Sequence, residues 1–158
     1  MRNIYNLLAE PIHGTYEKLI WFSLRYCDKF QYVVPHHINQ NRSVQEIIKK
    51  FEKFQISIKE KSEWPGTKLL RGTATVYQYV LNEESTILLI DSNNSLYSWV
   101  QPDFPEDLCL IRTDNTSWFV STTYERDGYF ELAPDEMSEL EELIPGLILS
   151  KHNVDKVD

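Results

Sequence analysis

The sequence LCLIRTDNTSWFVSTT, residues 108–123, decides the fold of this chain. Two mostly apolar runs, Leu108 to Arg112 and Ser117 to Thr123, flank the polar residues Thr113 to Thr116. Such runs favour extended backbone, and a short polar segment between two of them is typical of a hairpin. The stretch therefore predicts two antiparallel strands within a larger sheet.

Further strands are predicted around this hairpin, because β-branched and aromatic residues recur in segments bounded by turn-forming residues. Asn82 to Ser85 is predicted as a hairpin-like break, and Trp64-Pro65-Gly66 as a turn. The other predicted strands are Phe30 to Val34, Gln55 to Glu60, Gly72 to Leu81, Thr86 to Ile90 and Tyr129 to Leu132.

Three helices are predicted from apolar residues at steps of three and four. The first follows Thr15, which can cap it, and the second begins at the capping-box pattern Ser43-Val44-Gln45-Glu46. Pro134 opens the third, at a position where its missing N–H costs little. The prediction is an α+β fold, with a mostly antiparallel sheet of about five to six strands, two N-terminal helices and one C-terminal helix.

The length and composition indicate one folded domain. Of the 158 residues, 42% are hydrophobic and only 5 are Gly, as in an ordinary globular protein. The sequence contains no repeat, no linker and no evident domain boundary. We expect residues 1–150 to form a single α+β domain and residues 151–158 to be a flexible tail.

Glycine spacing and hydropathy exclude several classes of function. The five glycines are too scattered for a phosphate-binding loop, so there is neither a P-loop nor a dinucleotide-binding motif. No apolar run is long enough to span a membrane, and the first residues lack the pattern of a secretory signal. We therefore expect a cytoplasmic protein that has no cofactor and does not associate with a membrane.

Charge is distributed unevenly along the chain. The net charge of −8 argues against nucleic acid as a partner. Residues 1–79 hold 12 Lys and Arg against 7 Asp and Glu, a net charge of +5, whereas residues 80–158 hold 4 against 17, a net charge of −13. The two halves either neutralise each other in the folded protein or leave an acidic surface for a basic protein.

The candidate binding residues are aromatic residues in or beside loops and carboxylates of the second half. Exposed Trp and Tyr side chains rimmed by acids are typical anchors of protein interfaces, although the same aromatic residues can instead cover the open end of the sheet. The candidates are Trp64, Tyr97, Trp99, Glu106, Asp107, Tyr124, Glu125 and Asp127. They predict a protein partner, and a basic one if the acidic surface persists.

An enzymatic alternative rests on the segment from Thr122 to Gly128. Glu125, Arg126 and Asp127 at a strand end can supply an acid, an anion clamp and a base, as in a small hydrolase. An exposed turn has the same composition, so both interpretations stay open.

The histidines and cysteines do not predict a metal site. His36 and His37 are adjacent, and neighbouring side chains of an extended backbone point to opposite faces. Cys27 and Cys109 lack the short ligand spacing of structural zinc sites, and each lies in an apolar segment where cysteine acts as a small buried hydrophobe.

Several blocks of the chain resemble an uncharacterised family of small proteins from Bacillus and its relatives, some of which carry the label stage III sporulation protein AH. The blocks span most of the chain. They are Pro11-Ile12-His13-Gly14-Thr15-Tyr16, Ser62-Glu63-Trp64-Pro65-Gly66-Thr67, Thr73-Ala74-Thr75-Val76-Tyr77, Leu96-Tyr97-Ser98-Trp99 and Pro105-Glu106-Asp107-Leu108-Cys109. The resemblance implies no catalytic residues.

These observations predict a non-enzymatic, cytoplasmic protein-binding domain with a toxin-neutralising or regulatory role. Size, acidity and expected location are similar to those of small immunity proteins that neutralise bacterial toxins, which is an analogy and not a motif match. The alternatives are a small hydrolase that uses Glu125 and Asp127, and a sporulation-associated protein.

Overall fold

The computed structural model describes residues 1–36 and 41–152 of the chain. These residues form ten strands and four α-helices. The strands are β1 (Asn3–Leu7), β2 (Cys27–Pro35), β3 (Gln55–Lys61), β4 (Glu63–Trp64), β5 (Thr67–Lys68), β6 (Ala74–Val80), β7 (Glu106–Arg112), β8 (Ser117–Thr122), β9 (Asp127–Leu132) and β10 (Leu149–Lys151). The helices are α1 (His13–Ser23), α2 (Arg42–Lys50), α3 (Glu83–Ser92) and α4 (Pro134–Leu143).

Eight of the strands form one antiparallel sheet in the order β10-β1-β9-β8-β7-β2-β6-β3, and β4 and β5 form a separate two-stranded hairpin. The α+β class is as predicted, but the predicted count of five to six strands and three helices is wrong. The predicted hairpin of residues 108–123 lies inside the sheet, where Leu110 pairs with Phe119.

The extra helix is α3, where a strand at Thr86 to Ile90 was predicted. Asn82 and Ser85, interpreted as a hairpin break, form a reciprocal helix cap: the Asn82 side chain accepts from the Ser85 amide, and the Ser85 hydroxyl accepts from the Asn82 amide, both at 2.9 Å. Such a cap satisfies backbone donors that a helix start leaves free. The apolar run from Thr86 to Ile90 follows this cap and is therefore part of a helix.

Four strands were missed: β4 and β5, which hold two residues each around the predicted turn, and two strands at the ends of the chain. β1 holds only five residues, with Tyr5 and Leu7 buried, and β10 pairs with it through Leu7 and Leu149. Lys151, the first residue of the predicted tail, ends β10, and residues 153–158 lie outside the described part. Neither segment is long enough for its alternation to stand out from the sequence.

Two predicted helix starts also differ from the structure. α1 begins at His13, before the predicted cap Thr15, and Ile12 at its N-cap makes no side-chain hydrogen bond. α2 begins at Arg42, and the Ser43 hydroxyl donates to the Asp103 carbonyl at 2.9 Å instead of capping the helix. The loop before β7 thus takes the hydroxyl that the capping-box pattern assigned to the helix.

The main core lies between the helices and one face of the sheet. Aromatic side chains from β2, β6 and the segment after α2 meet there, with the rings of Phe30 and Tyr79 stacked at 5.1 Å. The hydroxyls of Tyr32 and Tyr79 are 2.6 Å apart, and the Trp99 indole donates to the Tyr16 hydroxyl at 3.0 Å. Buried polar tips are thereby satisfied inside an apolar layer.

The opposite face of the sheet carries two smaller clusters. The β4–β5 hairpin covers Val33, Ala74 and Val76 with the ring of Trp64. Cys109, Ile111 and Val120 form a second cluster beside it. The ring of Trp64 therefore packs the hairpin against this face of the sheet.

An ion pair between β7 and α4 lies in the interior. Arg112 donates to both carboxylate oxygens of Glu136 at 2.8 and 3.0 Å, and only 7% and 8% of the two side chains is exposed. Arg112 also donates to the Glu131 carbonyl, and Glu136 accepts from the Ala133 amide at the start of α4. The pair fixes the first turn of α4 to the centre of the sheet.

Replacing Glu136 by Gln is expected to lower the free energy of unfolding by about 3 kcal/mol, because Arg112 is then left buried and uncompensated. Urea denaturation followed by circular dichroism measures the change. Glu141→Gln is the matched control, since Glu141 is on the same helix, exposed and in no ion pair within the described residues. A loss in Glu136→Gln no larger than that of the control would contradict a role for this pair.

Candidate binding site

The site is built around Asp107, the second residue of β7. In the pairing with β2, Val33 is opposite Glu106 and Gln31 is opposite Cys109, so an extra residue is accommodated between them. Asp107 has a φ of 58°, a left-handed conformation that only a few residue types tolerate. A bulge of this kind redirects a side chain, here toward the hairpin that covers this face of the sheet.

The carboxylate of Asp107 is only 5% exposed and accepts hydrogen bonds from uncharged donors. The Trp64 indole N–H donates to Oδ2 at 2.9 Å and the Thr67 hydroxyl donates to the same oxygen at 3.4 Å. The Thr123 amide donates to Oδ1 at 3.0 Å, and the Asp107 amide donates to the Thr123 hydroxyl at 3.1 Å. One side chain thus joins β7, the β4–β5 hairpin and the turn that follows β8.

The turn of the hairpin brings its backbone close to β8. Pro65 and Gly66 occupy the turn, and Gly66 has a φ of 87°, as the third residue of a type II turn requires. A Cβ atom at Gly66 would lie 2.9 Å from the Thr122 hydroxyl oxygen and 3.0 Å from the Val120 Cγ1 atom. The predicted turn is confirmed, and its glycine is needed for both its conformation and its proximity to β8.

A cavity of about 410 Å³ opens between the hairpin and the ends of β7 and β8. We call it the acid–aromatic cavity. It is lined by Pro35, Trp64, Thr67, Leu69, Glu106, Asp107, Thr122, Tyr124 and Glu125. Three of these residues carry carboxylates and none is Lys, Arg or His, and Tyr124, with 81% of its surface exposed, stands at the rim. The volume is within the range of small-ligand pockets.

The carboxylates in the cavity are difficult to ionise. Burial, with a smaller contribution from the neighbouring charge of Asp107, raises the pKa of Glu106 to about 7. Burial also raises the pKa of Asp107, although its hydrogen bonds from Trp64 and Thr123 oppose that shift. Within the described residues, no Lys, Arg or His forms an ion pair with Glu106, Asp107 or Glu125. Negative charge that develops in the cavity therefore has no counterion among the described residues.

The structure brings five of the eight predicted binding residues together in this cavity. They are Trp64, Glu106, Asp107, Tyr124 and Glu125. Of these, Trp64 is buried as a wall of the cavity and does not project from the surface.

The other three predicted binding residues lie elsewhere. Trp99 is fully buried in the main core. Tyr97 is buried under Arg126, whose guanidinium lies 5.7 Å from the centre of its ring. Asp127 is exposed at the start of β9, where its side chain accepts from the Gly128 amide at 2.9 Å.

Sequence reasoning missed the hydroxyl residues that shape the site. Thr67 and Thr123 hold Asp107, and Thr122 lines the cavity beside Gly66. A signal was available, since Thr67 follows Trp-Pro-Gly directly and Thr122 and Thr123 begin the segment considered for its carboxylates. The missing information was the bulge in β7 that turns Asp107 toward them.

Other reactive side chains do not form a competing site among residues 1–36 and 41–152. No group of three or more His, Cys, Asp or Glu residues there is arranged to hold a metal ion. Burial raises the pKa of the Cys109 thiol to about 12, and burial likewise raises the pKa of Cys27, so both thiols stay protonated near neutral pH. His36 contacts Glu60 at 2.6 Å, and His37 lies outside the described residues.

Comparison of the chain with protein-family models, with curated proteins and with solved structures finds no match. The resemblance to the Bacillus family therefore stays a prediction. No helix in the described part of the chain is both long enough and apolar enough to cross a membrane.

Replacing Gly66 by Ala is expected to destabilise the protein by about 1–3 kcal/mol more than replacing Gly72 by Ala. Both glycines have positive φ angles, 87° and 73°, so both variants incur backbone strain. Only Gly66 approaches other atoms, whereas no atom lies within 4 Å of a Cβ at Gly72. Chemical denaturation of both variants measures the difference, and equal losses would contradict the close approach to β8.

Replacing Glu106 by Gln is expected to stabilise the protein at pH 8 but not at pH 4. An unfolded chain ionises Glu near its ordinary pKa of 4.5, whereas the folded protein retains the proton up to about pH 7. The wild type therefore loses stability as the pH rises through this window, by about 1 kcal/mol after allowance for partial solvent exposure. Urea denaturation at both pH values measures the effect, and a difference between variant and wild type that does not change with pH would contradict it.

Proposed function

We propose that this is a non-enzymatic cytoplasmic protein that binds a basic segment of a protein partner in the acid–aromatic cavity. The observation that carries the proposal is the charge of the lining: three carboxylates, two aromatic rings and no basic side chain. A cationic group from a partner would supply the missing counterion. Aromatic residues beside buried polar groups are also typical of the energetically important part of protein interfaces.

The surroundings of the cavity support a protein partner. Tyr124 and Glu125 lie in the turn after β8, and both are exposed, so a partner can reach them without a change of fold. Further carboxylates of the second half, Glu141 and Glu142, are exposed and form no ion pair within the described residues. Complementary charge of this kind speeds the encounter with a basic partner and rejects acidic ones.

The hydrolase alternative has less support. Glu125 lines the cavity, but Asp127 is not among the lining residues, and no His of the described part lines it. A pair of carboxylates at Glu125 and Asp127 therefore does not converge on one concave site. Binding without catalysis is the activity that a toxin-neutralising or regulatory protein needs, and it is the role we propose.

Photo-crosslinking at position 124 tests the proposal in cells that produce the protein. With p-benzoylphenylalanine in place of Tyr124, we expect a discrete crosslinked adduct with one partner protein. The matched control places the same group at Ile87 of α3, which is 46% exposed on the helical side of the sheet. An adduct of equal intensity at both positions, or none at position 124, would contradict binding at the cavity.

The partner identified in this way is then purified and its affinity measured at increasing salt concentration. We expect the dissociation constant to rise steeply, because exposed opposite charges are screened over about 10 Å at 0.1 M salt. An affinity that is indifferent to salt would contradict recognition through the acidic surface.

A further inference from the structure

The carboxylates of the cavity differ in what they can offer to a ligand. Both oxygens of Asp107 already accept hydrogen bonds from the protein, from Trp64 and Thr67 on one side and from Thr123 on the other. Glu106 also accepts hydrogen bonds from the side chain and the backbone of Gln101, so a new donor depends on its remaining lone pairs and on Glu125. These two residues lie on different elements, β7 and the turn after β8. Two acceptors on separate walls suit a ligand with several donors.

Arg126 and Lys68, each next to a lining residue in the sequence, are not among the residues that line the cavity. Arg126 follows Glu125 directly, but its guanidinium donates to Glu10 at 2.6 Å and lies over the ring of Tyr97. Lys68 is on the hairpin, opposite Glu63 in the β4–β5 pairing, and does not line the cavity. Within residues 1–36 and 41–152, no cation is therefore placed to neutralise Glu106 and Glu125, and another molecule can supply one.

We propose that the cavity receives the side chain of an arginine from the partner. This inference rests on the proposed function and specifies the group that is recognised. A guanidinium presents five N–H donors in one plane, so it can reach acceptors on two walls at once, whereas an ammonium is a compact point charge. Its plane also stacks on aromatic rings, and Trp64 and Tyr124 provide such rings at the wall and the rim.

The environment of Glu106 favours arginine over lysine as well. The walls contributed by Pro35, Trp64 and Leu69 are largely apolar, so a bound cation loses part of its hydration. A guanidinium is more weakly hydrated than an ammonium and loses less on entry. Because burial raises the pKa of Glu106 to about 7, occupation by arginine requires a proton to leave this carboxylate, and binding is expected to strengthen from pH 6 to pH 8.

The test uses three probes of similar size: N-acetylarginine amide, N-acetyllysine amide and N-acetylcitrulline amide, whose urea group is the uncharged counterpart of guanidinium. Binding is followed in 1H–15N spectra through the indole N–H signal of Trp64, which reports on the site because it donates to Asp107. The Trp64→Phe variant identifies this signal among those of the four Trp residues.

We expect the arginine probe to shift the Trp64 signal in a saturable manner, with a dissociation constant at least roughly fivefold lower than that of the lysine probe. The citrulline probe should cause no saturable shift. Glu125→Gln, at an exposed position that folding does not require, should weaken arginine binding about tenfold, as expected for loss of a charge-assisted hydrogen bond. Glu141→Gln, which lies away from the cavity, is the matched control and should bind as the wild type does.

Three results would overturn the inference: no saturable shift with the arginine probe, lysine binding as tight as arginine binding, or citrulline binding as tight as arginine binding. None of them decides the proposed function, because crosslinking at position 124 detects a protein partner whatever residue it inserts. Conversely, arginine binding without a crosslinked partner would support the site chemistry and remove the protein-binding role.

Discussion

This side of the protein depends on a buried carboxylate, Asp107, that forms no ion pair within residues 1–36 and 41–152. Asp107 cannot be left unsatisfied, because a buried polar group without partners costs roughly 1–3 kcal/mol and a charged one costs more. Its partners come from two other segments, the Trp64 indole with the Thr67 hydroxyl and the Thr123 backbone. Satisfying this one side chain therefore places the hairpin and the turn after β8 on either side of the cavity.

The parts of the fold that the sequence predicts are those in which local pattern and tertiary environment agree. The two mostly apolar runs of residues 108–123 are buried along nearly their whole length. The apolar residues Val44 and Ile47 of α2 are followed, at steps of three and four, by Phe51 and Phe54, and all four are buried. α3 was not predicted, because Asn and Ser favour turns and helix caps equally well. Only the reciprocal hydrogen bonds of Asn82 and Ser85 distinguish the two, and they exist only once the helix has formed.

The site was predictable in composition but not in geometry. Trp64 and Trp99 both lie in loop-like sequence, yet one forms a wall of the cavity and the other is fully buried against Tyr16. Nothing local separates them, since the difference depends on which layer of the sheet each segment meets. Glu106 and Asp107 are adjacent residues that line the same cavity only because the bulge in β7 breaks the usual alternation.

The uneven charge of the sequence persists in the folded protein because of the strand order. β2, β6 and β3, from the basic half of the chain, are neighbours at one side of the sheet, whereas β7, β8 and β9 follow one another toward the other side. Within the described residues four ion pairs join the two halves, but Glu141 and Glu142 take part in none. The four pairs are Arg2–Asp114, Arg25–Glu139, Lys53–Glu84 and Arg126–Glu10. Carboxylates near the C-terminal end of a helix are unfavourable by about 0.3–1 kcal/mol, so local stability does not account for them.

The cavity lies where β2 and β7 meet, at the boundary between the halves, with Pro35 on one side and Glu106 on the other. A basic partner drawn toward the acidic half would therefore meet, at that boundary, carboxylates that have no counterion in the described part of the chain.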